Sequence, residues 1–167
     1  MKHRILQIVV IMSLSLGLSG LAYAAGDGWK VYNWDSLGIS MKIPNGMKMK
    51  EVDLDDGWGA LKGTIRGATL WAIGSFGKPK KAKSIKAFGA KVTGVPAKHW
   101  KIIGQGKKKN GWKWYKTIKS VDGKTLIFGG YGVGPKGSYL FLIKSTKLHF
   151  KKHKADYKKW YESVRLY

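Results

Sequence analysis

Five consecutive residues, Tyr139-Leu140-Phe141-Leu142-Ile143, constrain this chain more than any other stretch. Successive side chains of a strand point to opposite faces of a sheet, so a half-buried strand alternates apolar with polar residues. This run does not alternate. Both of its faces are apolar, and both must be covered. It reads as a central strand with helices or a second sheet on each side.

The rest of the chain supplies neighbours for it. Residues 29–34 (WKVYNW) and 39–43 alternate as strands do, and Pro44 with Asn45-Gly46 ends the second one in a turn. Residues 47–54 alternate again, Asp56-Gly57 signals a hairpin, and strands are expected at 58–65 and 69–76. The period then changes. Ile85, Phe88 and Val92 lie at helical spacing, with Ser84 as the expected N-cap and Gly94 as the stop. A meander follows over 100–107, 112–119, 125–131 and 138–145, its turns marked by Asn110-Gly111 and Asp122-Gly123. Last come Tyr157, Trp160, Tyr161 and Val164, at i, i+3, i+4 and i+7. Such a stripe belongs to a helix that docks on the sheet. Tyr139, Phe141, Leu142, Trp160 and Val164 are the expected core. The fold class is α+β, an antiparallel sheet packed against helices.

The chain starts with Lys2, His3 and Arg4, continues with an apolar run over 5–18, and reaches Ala22-Tyr23-Ala24. This is the layout of a secretory signal peptide. Residues 1–24 are expected to be removed, leaving residues 25–167 as one exported domain, periplasmic or extracellular. The apolar run is shorter than the ~20 residues a span requires, so no transmembrane span is expected after cleavage. There is no cysteine, which excludes disulfides, thiolate-bound metals and a lipid-modified cysteine.

Charge narrows the partners. Lys+Arg number 32 against 9 Asp+Glu, and loss of Lys2 and Arg4 takes the formal charge from +23 to +21. Twenty-nine of the 32 are lysines, which suit diffuse attraction to anions. Arginine forks that read bases are almost missing, so nucleic acid is not the expected partner. An unknown protein, or an anionic envelope polymer or lipid surface, is expected instead, with the domain acting as a monomer.

The densest mixture of charge and aromatics is GKKKNGWKWYK, residues 106–116. Lys107, Lys108, Lys109, Trp112, Lys113 and Lys116 are the candidate polyanion contact. A two-residue type I′ turn sets Lys109 opposite Trp112 and Lys107 opposite Trp114. A three-residue loop sets Lys108 opposite Trp112 instead. In either register Trp112, Trp114 and Ile118 fall on one face. The plainer possibility is a hairpin whose tryptophans enter the core and whose lysines are solvated.

Other motifs have structural explanations. GVGPKG at 132–137 lacks the following helix that a dinucleotide fingerprint needs, and reads as a hairpin loop. His149, His153 and Asp156 have the spacing of a zinc site but stand among Lys151, Lys152 and Lys154, which repel a cation. EVDLDDG at 51–57 fails the EF-hand register and reads as a strand end and turn. No G-x-S-x-G and no nucleophilic cysteine occur. No catalytic residue, cofactor or metal is assigned, and an enzyme is not expected.

YNWDSLGISMKIPNGM resembles the opening of PsbP-like domains, through Tyr32, Gly38, Ile39, Pro44 and Gly46. The close of the chain is similar to theirs through Tyr139 to Ile143, Phe150, Tyr157 and Ser163 to Arg165. The resemblance implies an α/β/α sandwich. It also implies a non-catalytic binding or interaction module, since such domains include extrinsic photosystem subunits, a Ran-binding protein and bacterial envelope proteins with no shared active site.

Overall fold

A computed structural model describes residues 27–54 and 57–167; the expected signal peptide lies outside the described residues. The main sheet has seven antiparallel strands. In chain order they are β3 (Lys50–Leu54), β4 (Trp58–Ile65), β5 (Ala68–Phe76), β6 (Lys101–Lys109), β7 (Trp112–Asp122), β8 (Thr125–Val133) and β9 (Gly137–Thr146). Across the sheet their order is β3-β4-β5-β9-β8-β7-β6. The unalternating run at 139–143 lies in β9, the middle strand, as its composition demands. A second sheet joins β1 (Trp29–Trp34), β2 (Ile39–Pro44) and the short β10 (Arg165–Leu166), with β2 between the other two.

Helix α1 (Ala82–Thr93) covers one face of the main sheet. Its Ile85 and Phe88 pack with Ile73, Ile127, Tyr131, Leu140 and Leu142. Gly89 brings α1 close, because a Cβ there would lie 2.5 Å from Trp100 Cη2 and 2.6 Å from Leu140 Cδ2. Helix α2 (Lys147–Ser163) and the small sheet cover the other face. Phe150, Tyr157 and Trp160 of α2 meet Tyr139, Phe141 and Ile143 of β9 and Ile39, Met41 and Ile43 of β2. Odd positions of β9 therefore serve one core and even positions the other.

Two expectations are corrected. The strand expected at 47–54 begins only at Lys50, because Met47 and Met49 lie across the bare face of Gly63 rather than in the ladder. Helix α1 starts before Ser84, with Lys81 at its N-cap and no side-chain cap bond. Gly94 does end it, at φ +71, its N–H donating to the Ala90 carbonyl over 2.8 Å. Helix α2 begins well upstream of its aromatic stripe, where Thr146 Oγ1 accepts from the His149 N–H at 3.2 Å, and it bends at His153. Among the described residues no helix is long and apolar enough to cross a membrane.

Candidate anion-binding groove on helix α2

The β6–β7 hairpin takes the type I′ register, with Lys109 opposite Trp112, Lys107 opposite Trp114, and Asn110 and Gly111 at φ 54 and 83. The shared face does not follow. Trp112 joins the α2-side core while Trp114 and Ile118 join the α1 side. Lys108 adopts a left-handed backbone, φ 51, which breaks the alternation at the tip. Trp112 is only 6% exposed and stands edge-on to Tyr139 and Phe141, so its ring is not displayed beside the hairpin lysines as a polyanion contact. Lys107, Lys108, Lys109 and Lys113 are exposed and Lys116 is half-buried.

The tip does not project. The Leu166 N–H donates to the Asn110 carbonyl over 2.9 Å and ties it to the end of the chain. Moreover β6 is an edge strand, where lysines discourage edge-to-edge pairing between copies.

A denser cationic site lies on the outer side of α2. The helix turns its aromatics to the core, which leaves Lys151, Lys152, Lys154, Lys158 and Lys159 facing outward along a groove of about 830 Å³. Lys42 of β2 and Arg165 complete its walls. One hydrogen bond holds β2 to the helix end, the Lys42 N–H donating to Ser163 Oγ at 2.8 Å, and that hydroxyl is fixed within the helix by donating to the Trp160 carbonyl at 2.6 Å.

Not every charge there is available. Glu162, the one acid lining the groove, pairs with Lys158 at 3.7 Å. Lys159 binds Asp27 at 2.9 Å and lies over the Trp29 ring, and its hydrogen bond holds the Asp27 carboxyl below its usual range. Arg165 donates to the Glu162 and Val164 carbonyls at the helix C-terminus, where the backbone dipole favours a cation. Lys42, Lys151, Lys152 and Lys154 make no ion pair with any described residue. Lys42 is near enough to Asp27 to help lower its carboxyl, while Lys151, Lys152 and Lys154, without an ion partner among the described residues, raise the local concentration of anions around one concavity.

Sequence reasoning missed this site. The lysine-rich run at 147–159 is its trace in the sequence; that β2 and Arg165 close the walls depends on pairing between segments far apart in the chain. Elsewhere, Asp156 turns to Arg66, 3.0 Å away, rather than to His149 and His153, whose rings are 6.2 Å apart. Glu51 and Asp53 are exposed on β3, and Asp55 and Asp56 lie outside the described residues. The segment 132–137 joins β8 to β9, the Gly134 N–H donating to the Gly137 carbonyl at 2.9 Å, so it is a hairpin loop as expected.

No family model matches the sequence, and no curated protein does. Among solved structures, the solution structure of cyanobacterial PsbP from Synechocystis sp. PCC 6803 is similar at TM-score 0.56 and 15% identity, over 90% of this chain and 99% of that one. Seven central strands, helices on both faces and this likeness together establish that the chain has a PsbP-like α+β fold.

Proposed function

We propose that this protein is an exported, non-catalytic binding module that holds an anionic, phosphate-bearing surface of the cell envelope against α2. The observation that carries this reading is the groove with Lys42, Lys151, Lys152 and Lys154 free of ion pairs with described residues. Lysine ammoniums are compact point charges, which suits multivalent attraction to phosphates more than the reading of one shaped ligand. The basic start, apolar run and Ala22-Tyr23-Ala24 support export, and N-terminal sequencing of the exported protein is expected to begin at Ala25.

Co-sedimentation of the mature protein with phosphatidylglycerol vesicles, over a salt series, tests the groove. Each lysine close to an anionic bilayer contributes ~1 kcal/mol, so replacing Lys42, Lys151, Lys152 and Lys154 by Gln is expected to weaken binding at least a hundredfold at low salt. Replacing Lys107, Lys108, Lys109 and Lys113 removes the same charge and is expected to do much less. Equal losses from the two sets would leave only diffuse attraction and retire the groove. No binding by the parent protein at low salt would retire the anionic partner altogether.

A further inference from the structure

A second concavity, of about 300 Å³, lies between the β6–β7 hairpin and α2. Its lining is unlike that of the basic groove. Trp112, Phe128 and Val164 are buried residues that reach it, and Tyr115 and Tyr161 flank them. The Tyr161 hydroxyl is already paired with Thr117 at 3.1 Å, so the aromatic wall has no unmet polar end there. The cleft is preformed, since the bond from Leu166 to Asn110 fixes the hairpin in place.

Two features point to an occupant. The first is a β-bulge in β6. Ile102 pairs with Ile118 and Gly104 with Thr117, so Ile103 is an extra residue in the ladder. Bulges re-aim side chains and recur beside binding sites. Here the bulge sets Ile103 at the cleft, where it is 56% exposed; its neighbour Ile102 is exposed too, but only Ile103 lines the cleft. The second is charge. Lys109 from the hairpin and Lys158 from α2 line the same cleft, and the one acid beside them, Glu162, is engaged by Lys158. Lys109 makes no ion pair with a described residue. Lys158 and Glu162 also line the basic groove, so the two concavities adjoin.

We infer that this cleft binds a single-chain anionic amphiphile, its apolar chain against Ile103, Trp112 and Phe128 and its anionic head at Lys109. The volume is at the lower end of small-molecule sites, ~300–1,000 Å³, which fits one chain and not two. The inference deepens the anionic-partner reading and rests on it for the sign of the ligand's charge.

Monododecyl phosphate, titrated below its micelle concentration and followed by tryptophan emission and calorimetry, is the probe. It is expected to bind the mature protein at least tenfold more tightly than monobutyl phosphate. Ile103→Glu, on an exposed edge, is expected to keep the parent's circular dichroism and lose dodecyl phosphate at least tenfold, while phosphatidylglycerol vesicle binding stays within twofold. Lys109→Gln is expected to weaken dodecyl phosphate several-fold and leave the uncharged dodecyl maltoside unaffected. Dodecyl phosphate binding that is indifferent to chain length, or unchanged in Ile103→Glu, would overturn the cleft assignment and leave the groove standing. Dodecyl phosphate binding that depends on Ile103, in a protein that ignores anionic vesicles, would sustain the cleft and retire the groove.

Discussion

Trp160→Ala removes the side chain on which the position of α2 depends. Trp160 is fully buried, its Nε1–H donates to Met41 Sδ at 3.3 Å, and its ring lies 6.3 Å from that of Phe141. It therefore touches β2 and β9 at once and joins the two sheets through the helix. Truncating a buried tryptophan costs ~3–5 kcal/mol, the lost transfer energy plus the cavity left behind. Trp160 heads the large fully buried side chains and fills space between β2 and β9, so its removal leaves a large cavity. The upper part of the range is expected. Domains of this size are stable by ~5–15 kcal/mol, so the variant retains a folded state with little margin. At about 2–4 °C per kcal/mol, a loss of ~4–5 kcal/mol lowers the melting temperature by about 8–20 °C. Urea unfolding followed by circular dichroism measures the loss, with Leu148→Ala, exposed at 73%, as the control. A change in Trp160→Ala of no more than ~0.5 kcal/mol, the size of an ordinary surface substitution, would show that α2 does not dock on β9 and would remove the wall of both concavities.

Gly89→Ala gains up to ~1 kcal/mol of helix propensity but drives a methyl into Trp100 and Leu140; overpacking of ~1–3 kcal/mol is expected to win, read as a lower urea midpoint. Burial pushes the Tyr161 phenol up to about 12. Its folded-state value lies above the ~10 of the unfolded chain, so its stabilisation is complete below pH ~10 and is lost as the pH rises to ~12, at up to ~1.4 kcal/mol per unit. Tyr161→Phe is expected to remove that part of the alkaline slope, measured as the urea midpoint against pH; an unchanged slope would mean that Tyr161 ionises freely in the folded protein. Leu166→Pro deletes the N–H that holds Asn110, and is expected to speed amide hydrogen exchange at the β6–β7 tip while β8 and β9 stay protected.

The central strand was legible in the sequence because residues 139–143 carry the requirement in their own composition: two apolar faces have to be covered wherever the strand lies. Periodicity located the aromatic stripe of α2 for a similar reason, since Tyr157, Trp160 and Tyr161 must share a side of any helix that contains them, although Val164, expected to continue the stripe, is buried from the extended cap after the helix ends. A hairpin at Asn110-Gly111 was legible because few residues tolerate left-handed conformations, but its two-residue type I′ register, rather than a three-residue loop, was settled only by the fold. These are local properties of the chain.

Trp112 shows where local reasoning ends. Alternation places it with Trp114, yet it packs in the opposite core, at a hairpin tip where Lys108 is left-handed and Leu166 binds Asn110. The bond comes from the far end of the chain, and no window of residues around Trp112 contains it. The basic groove has the same origin. Its lysines on α2 are visible as a run, but Lys42 and Arg165 become its walls only because β10 pairs with β2, a two-residue contact too short to leave a period. Composition alone determined that this protein would be strongly cationic, since charge sums whatever the fold. Where that charge is concentrated, and which ammoniums remain unpaired, was decided by tertiary structure, because Coulomb attraction and burial depend on distances that only the assembled sheets define.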